Sequence, residues 1–127
     1  MLVSHSREVA TATAALARAL VGSGDPAAVA VAGGLPDGSV GTSAELVRQA
    51  VRTVDEGAGV VAVCDMGSAV LTVKALLAES GIAAAGMRIA DAPFVEGAVA
   101  AVVTASAGGG LAAVLAAAED ARAYRKI

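Results

Sequence analysis

Four short apolar runs in this chain fail to alternate between apolar and polar residues, and each leads into a segment with helical spacing. The runs are Met1 to Ser4, Ala27 to Ala32, Gly59 to Cys64 and Met87 to Ala90. A strand with one face in water alternates, whereas a strand buried on both faces reads as a continuous apolar run. Such strands separated by helices predict an α/β fold: an open, mainly parallel sheet of about four strands flanked by helices. With 127 residues, no internal repeat and no dividing linker, residues 1–127 read as one domain with a sizeable core.

The intervening segments carry helix signals. Ser6 can cap a helix whose positive end suits Glu8, and Val9, Leu16 and Leu20 share one face of it before Gly22 and Gly24 stop it. Gly33 to Gly41 is a Gly/Pro/Asp loop. Thr42 and Glu45 have capping-box spacing, predicting a helix to about Glu56 that buries Val47, Val51 and Val54. Asp65-Met66-Gly67-Ser68 turns directly into a third helix carrying Val70, Leu71, Val73, Leu76 and Leu77, which Gly81 ends. Pro93 suits the first turn of a helix running through about Ala107, and a last helix runs from about Leu111 to Tyr124.

Hydrophobic residues make up 57% of the chain but aromatic ones only 2%, so Ala, Val, Leu and Ile must fill the core. Gly97 to Ala118 contains no charge and is long enough to span a bilayer. Gly108-Gly109-Gly110 cuts it in two, however, and Thr104, Ser106 and many weakly apolar Ala residues favour two helices in a soluble core. The N-terminus lacks a basic region followed by an apolar stretch, so no signal peptide is expected. A single cysteine, Cys64, excludes an internal disulfide and fits a reducing, cytoplasmic compartment. The net charge of −3, without a basic patch, argues against nucleic-acid binding.

Open parallel sheets bind ligands beyond the carboxyl ends of their strands, where the winding reverses. With the first strand central, its neighbour across that reversal is commonly the third. His5 and Asp65 end those two strands. Neutral imidazole, with a free pKa of about 6.5, is a competent nucleophile. A carboxylate accepting one ring N–H fixes the tautomer and leaves the other lone pair free to attack. Helix N-termini can hold a phosphate through backbone N–H groups, with Ser6 and Ser68 as further donors.

Bland readings compete at each position. A lone His at a strand end is more often structural than catalytic on base rates. Asp before Gly and Ser commonly serves a turn or cap. Gly33, Gly34 and Thr42 can serve only backbone geometry and capping, Glu96 a first helical turn, and Cys64 a small hydrophobe's place in the core. Rival chemistries fail on inventory. One His and one Cys offer no zinc-ligand spacing, so no metal is expected. The chain has no GxxxxGK[ST] phosphate loop, no dinucleotide fingerprint and no GxSxG elbow, and so implies no cofactor. Any phosphoryl group would have to come from another protein.

Three motifs carry a family resemblance: Val3-Ser4-His5-Ser6, Asp65-Met66-Gly67-Ser68-Ala69 and Ala92-Pro93-Phe94-Val95-Glu96-Gly97. In this order and spacing the chain resembles the phosphotransfer subunits of dihydroxyacetone kinases and, more broadly, the mannose-type enzyme IIA domains. The resemblance implies a parallel α/β domain, commonly a homodimer. It implies that His5 accepts a phosphoryl group from the carrier protein HPr and passes it to ADP held in the nucleotide-binding kinase subunit. On the same grounds Asp65 orients His5, Gly67 and Ser68 form the turn beside the phosphate, and Gly33 and Thr42 are further phosphate-side candidates; Ser6 joins them through its own hydroxyl at the start of the first helix. Some relatives continue into an HPr-like domain and a fragment of enzyme I; this chain ends at Ile127, so a separate donor is expected. Mannose-type domains also carry an exchanged C-terminal strand, where this chain has an Ala-rich helix ending in Arg122, Arg125 and Lys126. Two alternatives share the His5 chemistry: a sugar-transport enzyme IIA, and a regulatory module read through phosphorylated His5. The short Asp-Met-Gly-Ser turn favours the kinase branch over sugar transport.

Overall fold

The structure, a computed structural model, describes residues 1–79 and 86–127. The apolar runs form β1 (Leu2–Ser4), β2 (Val31–Gly33), β3 (Val60–Cys64) and β4 (Met87–Ala90), all parallel, in the order β2-β1-β3-β4. Helices α1 (Arg7–Ala19), α2 (Ala44–Val54), α3 (Gly67–Leu77), α4 (Phe94–Ser106) and α5 (Leu111–Asp120) join and cover the strands. The strand order reverses between β1 and β3, the switch point expected from the sequence.

The missing alternation has a direct cause. Val3, Ala62 and Cys64 belong to one buried cluster with Val47 and Val51 of α2 and Val73 and Leu76 of α3. Leu2 and Val63 belong to a second, with Ala14 of α1, Ala98 and Ala101 of α4, and Val114 and Ala118 of α5. Neighbouring strand residues thus face two different cores, and both faces are dry. The uncharged stretch from Gly97 to Ala118 is the paired α4 and α5, and among the described residues no helix is long and apolar enough to cross a membrane.

Several local expectations shift. In α1 the buried face is Ala10, Thr13, Ala14 and Ala17, while Val9, Leu16 and Leu20 are exposed. The residues α1 turns toward the sheet are all small, so size misleads where spacing alone is read. The second strand begins at Val31 instead of Ala27, because side chains take the polar groups of the approach. Ser106 Oγ accepts from the Ala27 N–H at 2.8 Å and Arg18 donates to the Val29 carbonyl at 2.7 Å.

The cap of α2 is Ser43, not Thr42. Its Oγ accepts from the Leu46 N–H at 3.3 Å, and Glu45 turns instead toward Gln49 and Arg48. That helix stops at Val54, and Asp55 closes it by accepting the Gly57 N–H. In α3 Ala69, Val73 and Leu76 are buried and Leu71 is exposed; Gly81, read as its terminator, lies outside the described residues. The last helix ends at Asp120 and tightens into a 3-10 turn over Ala121–Ala123.

Candidate active site

Register places the site. Val3 pairs with Cys64 across the β1–β3 ladder, and the Asp65 N–H donates to the Val3 carbonyl at 3.0 Å. Ser4 ends β1 and Asp65 follows β3, so Ser4, His5 and Asp65 come together at the switch point. His5 Nδ1 lies 2.9 Å from Asp65 Oδ1, with the imidazole 18% and the carboxylate 13% exposed.

Asp65 is fixed from several directions. Its Oδ2 accepts from the Ser4 hydroxyl at 2.8 Å and the His5 backbone N–H at 2.9 Å, and its Oδ1 also accepts from the Met66 N–H at 2.7 Å. Partial burial works against ionisation. The hydrogen bonds from the His5 backbone and ring, Ser4 and Met66 outweigh it and hold the carboxyl below its ordinary value. An ionised carboxylate can only accept, so the shared proton is the Nδ1–H of His5. The lone pair then sits on Nε2, where Ser68 Oγ lies within hydrogen-bonding contact and can donate to it. Thr42 Oγ1 is 3.4 Å from that same Ser68 oxygen.

The loop after β2 brings Thr42 there. The Gly34 N–H bonds the Ser4 carbonyl at 3.1 Å, the Gly41 N–H bonds the His5 carbonyl at 3.0 Å, and Gly34 bridges Thr42. Gly33 serves a different purpose. A Cβ on it would stand 2.6 Å from Arg7 Cα and 2.8 Å from the Ser6 carbonyl oxygen, so glycine is needed for β2 to pass under the start of α1. Ser6 is similarly engaged: its Oγ accepts from the Val9 N–H at 3.3 Å and donates to Glu8 at 3.0 Å. Of the residues read from sequence, the structure gathers His5, Asp65, Ser68 and Thr42, with Gly67 opening α3 beside them. Ser6 and Gly33 are occupied in building α1.

Gly67 and Ser68 begin α3 without a side-chain cap, and their backbone N–H groups find no acceptor among the described residues. A Cβ on Gly67 would meet nothing within 4 Å. This open helix start beside Nε2 can receive an anion through backbone N–H groups and the helix dipole.

Sequence reasoning assigned Ser4 no role. It is 1% exposed, and its hydroxyl both holds Asp65 and accepts the Ser6 N–H at 3.1 Å. The available signal was a hydroxyl at the end of an otherwise apolar buried run, which requires a partner. Among the described residues no group of acidic, His or Cys side chains could hold a metal ion.

An open parallel sheet with a carboxylate-held histidine at its switch point defines a class of α/β domain with one imidazole at the carboxyl edge of its sheet. The chain belongs to the family described as "PTS system fructose IIA component", whose model matches residues 1–115. It is 36% identical over 129 residues to the "PEP-dependent dihydroxyacetone kinase, phosphoryl donor subunit DhaM" of Pantoea ananatis, covering 99% of this chain and 27% of that protein. The Escherichia coli protein of the same name is 37% identical over 111 residues, 85% of this chain and 23% of the relative. The chain thus spans about a quarter of the length of these relatives. A Listeria innocua relative, "PEP-dependent dihydroxyacetone kinase 2, phosphoryl donor subunit DhaM", is 33% identical over 81% of this chain and 82% of its own length. A crystal structure of the unknown function protein EF1359 superposes with a TM-score of 0.75 at 25% identity, covering 94% of this chain and 90% of that one.

Proposed function

We propose that this chain is a phosphohistidine carrier in which Nε2 of His5 accepts a phosphoryl group from HPr and passes it to ADP held in the nucleotide-binding subunit of a dihydroxyacetone kinase. The carrying observation is the His5–Asp65 pair at the switch point: Nδ1–H donates to Asp65, and Nε2 lies against Ser68 at the start of α3. Family membership and the DhaM relatives support the kinase setting.

The chemistry balances without a cofactor. As the donor's N–P bond breaks, its electron pair returns to the donor nitrogen and an Nε2–P bond forms on His5. Asp65 keeps the ring oriented and stabilises its developing positive charge. The Ser68 hydroxyl, which rests against Nε2, turns to a phosphoryl oxygen, joined there by Thr42 and by the N–H groups of Gly67 and Ser68. In the return step a β-phosphate oxygen of ADP forms the new O–P bond while the Nε2–P pair returns to the ring. Phosphoryl transfer of this kind depends mainly on positioning and charge stabilisation, which these groups supply.

Incubation with phosphoenolpyruvate, enzyme I and HPr should add one acid-labile phosphate per chain, and His5→Ala should accept none. Label persisting in that variant would remove His5 from the mechanism. The charged chain mixed with ADP-loaded kinase subunit and dihydroxyacetone should yield dihydroxyacetone phosphate. A phosphate that stays on the chain would defeat the relay and favour a regulatory role.

A further inference from the structure

Of the residues in the four strands only Ser4 carries a hydroxyl, and it is buried. The strand does not need that oxygen. Ser4 pairs with Gly33 in register, and its carbonyl accepts the Gly34 N–H. Ala32 and Ala62 fill buried positions on the two neighbouring strands with no polar side-chain atom at all. A hydroxyl at such a position costs desolvation unless it is bonded, and the bonds this one makes lead to His5.

The Ser6 N–H donates to Ser4 Oγ at 3.1 Å, and the Ser4 hydroxyl donates to Asp65 Oδ2 at 2.8 Å. The direction is forced at both ends, because a backbone N–H only donates and an ionised carboxylate only accepts. Hydrogen bonds in series polarise one another, so the Ser6 N–H strengthens the bond that Ser4 makes to Asp65. The two carboxylate oxygens divide their partners. Oδ2 takes Ser4 and the His5 backbone N–H, while Oδ1 takes the imidazole Nδ1–H and the Met66 N–H. Apart from His5, Ser4 is the only side chain bonded to Asp65 among the described residues. Turning the carboxylate away from the ring would break the Ser4 bond.

Resting on the carrier reading above, we propose that Ser4 is a positioning residue for phosphoryl transfer. Its hydroxyl, aimed by the Ser6 N–H, fixes the Asp65 carboxylate so that His5 keeps its proton on Nδ1 and presents a bare Nε2. Ser4 acts through Asp65 and has no part in holding the phosphoryl group. The orientation of the nucleophile thus depends on a buried strand residue and, through Ser6, on the start of α1.

The test uses Ser4→Ala, with Ser4→Cys as a second variant that keeps nearly the same volume and has only a weak donor. His5 is the only histidine in the chain, so nitrogen NMR of ring-labelled protein reads its tautomer without ambiguity. A protonated and a bare ring nitrogen give well-separated signals, which draw together when the proton is shared between the two sites. At about pH 8, above the free imidazole pKa, wild type should show a protonated Nδ1 and a bare Nε2. Both variants should show the two signals drawn together. Single-turnover charging by phosphorylated HPr should slow by about tenfold, the scale of one hydrogen bond to a charged group, at an unchanged half-saturating HPr concentration. Ser6→Ala, which loosens the same helix start but keeps the Ser6 N–H, should leave the spectrum as in wild type. Wild-type spectra in the Ser4 variants overturn the proposal, as does the same spectral change in Ser6→Ala, since general loosening would then suffice. A rate loss that appears only as a higher half-saturating HPr concentration also overturns it. Wild-type protein that shows the expected spectrum but takes no phosphoryl group from HPr defeats the carrier reading instead, so the two failures are told apart.

Discussion

Two helices begin beside the His5–Asp65 pair, and they begin differently. The start of α1 is closed: Ser6 caps the Val9 N–H, and the first turn carries an acid. The Glu8 carboxyl is held below its usual value by its own backbone N–H and by the Ser6 hydroxyl. The start of α3 is open: Met66 provides no side-chain cap, the first turn has no acid, and Gly67 leaves its surroundings empty. Both ends carry the positive pole of a helix dipole, but only one has left it unspent. An anion arriving at Nε2 meets unfilled N–H groups on the α3 side and a resident carboxylate on the α1 side. One helix start is closed by its own residues, and the other leaves its first N–H groups without an acceptor among the described residues.

Asp65 links the two starts, bonding Ser4 and His5 ahead of α1 and Met66 at the head of α3, and its loss has the largest expected effect. Asp65→Asn keeps the shape but supplies an amide in place of an anionic acceptor, so the His5 tautomer is no longer enforced. Transfer should fall by roughly 100-fold or more, measured as single-turnover charging by HPr, while circular dichroism stays native. Wild-type rates in the variant would remove Asp65 from the mechanism.

The same residue predicts a pH effect. Its folded carboxyl lies below its ordinary value of 3.8. The unfolded chain therefore takes up a proton first as pH falls. The stabilisation is fully present above that value and disappears as pH drops through the lower folded one. Wild-type stability should decline over that acid range, and Asp65→Asn should remove part of the slope in urea melts.

A smaller effect should follow from closing the α3 start. Met66→Ser places a hydroxyl where Ser6 stands in α1, able to accept from the N–H groups of Ser68 or Ala69. N-cap substitutions of this kind contribute about 1 kcal/mol, so the variant should be more stable by roughly that amount in chemical denaturation. It should also charge about tenfold more slowly, because the cap competes with the phosphate for the same donors, a penalty of about 1.4 kcal/mol on transfer. Phosphoramidate, a small phosphoryl donor whose P–N bond breaks to release ammonia, is the proper donor here because it needs no docking protein. A variant that gains stability and charges at the wild-type rate would show that the open start does not hold the phosphoryl group.

How far these features could be read from sequence depends on whether one residue had one available role. The parallel sheet was legible because strands buried on both faces leave no alternation, and that pattern has few other causes. His5 and Asp65 were legible because strand ends at a switch point coincide in space whatever the packing details. Ser6 was not, since a hydroxyl at a helix start can cap or bind phosphate, and only the Glu8 contact decides between them. Thr42 and Ser43 are adjacent hydroxyls at one helix start, so spacing could not choose the cap. The buried face of α1 was misread because Ala10, Ala14 and Ala17 carry the packing. In a chain with so few aromatic residues, close approach counts for more than side-chain size.

The smallest expected effect on transfer lies at the closed start. Ser6→Ala removes the cap on the Val9 N–H and the hydroxyl that holds Glu8, and it should cost about 1 kcal/mol of stability. With the phosphoryl group held on the α3 side as proposed, charging by phosphoramidate should change by less than about twofold. The pairing with Met66→Ser is what gives the measurement its force: one change weakens the fold and spares transfer, the other strengthens the fold and slows transfer. A global loosening of the domain would move both variants' rates in the order of their stabilities. The two helix starts predict the opposite order. If Ser6→Ala instead slows charging tenfold, the hydroxyl of Ser6 reaches the phosphoryl group after all, and α1 shares the site with α3.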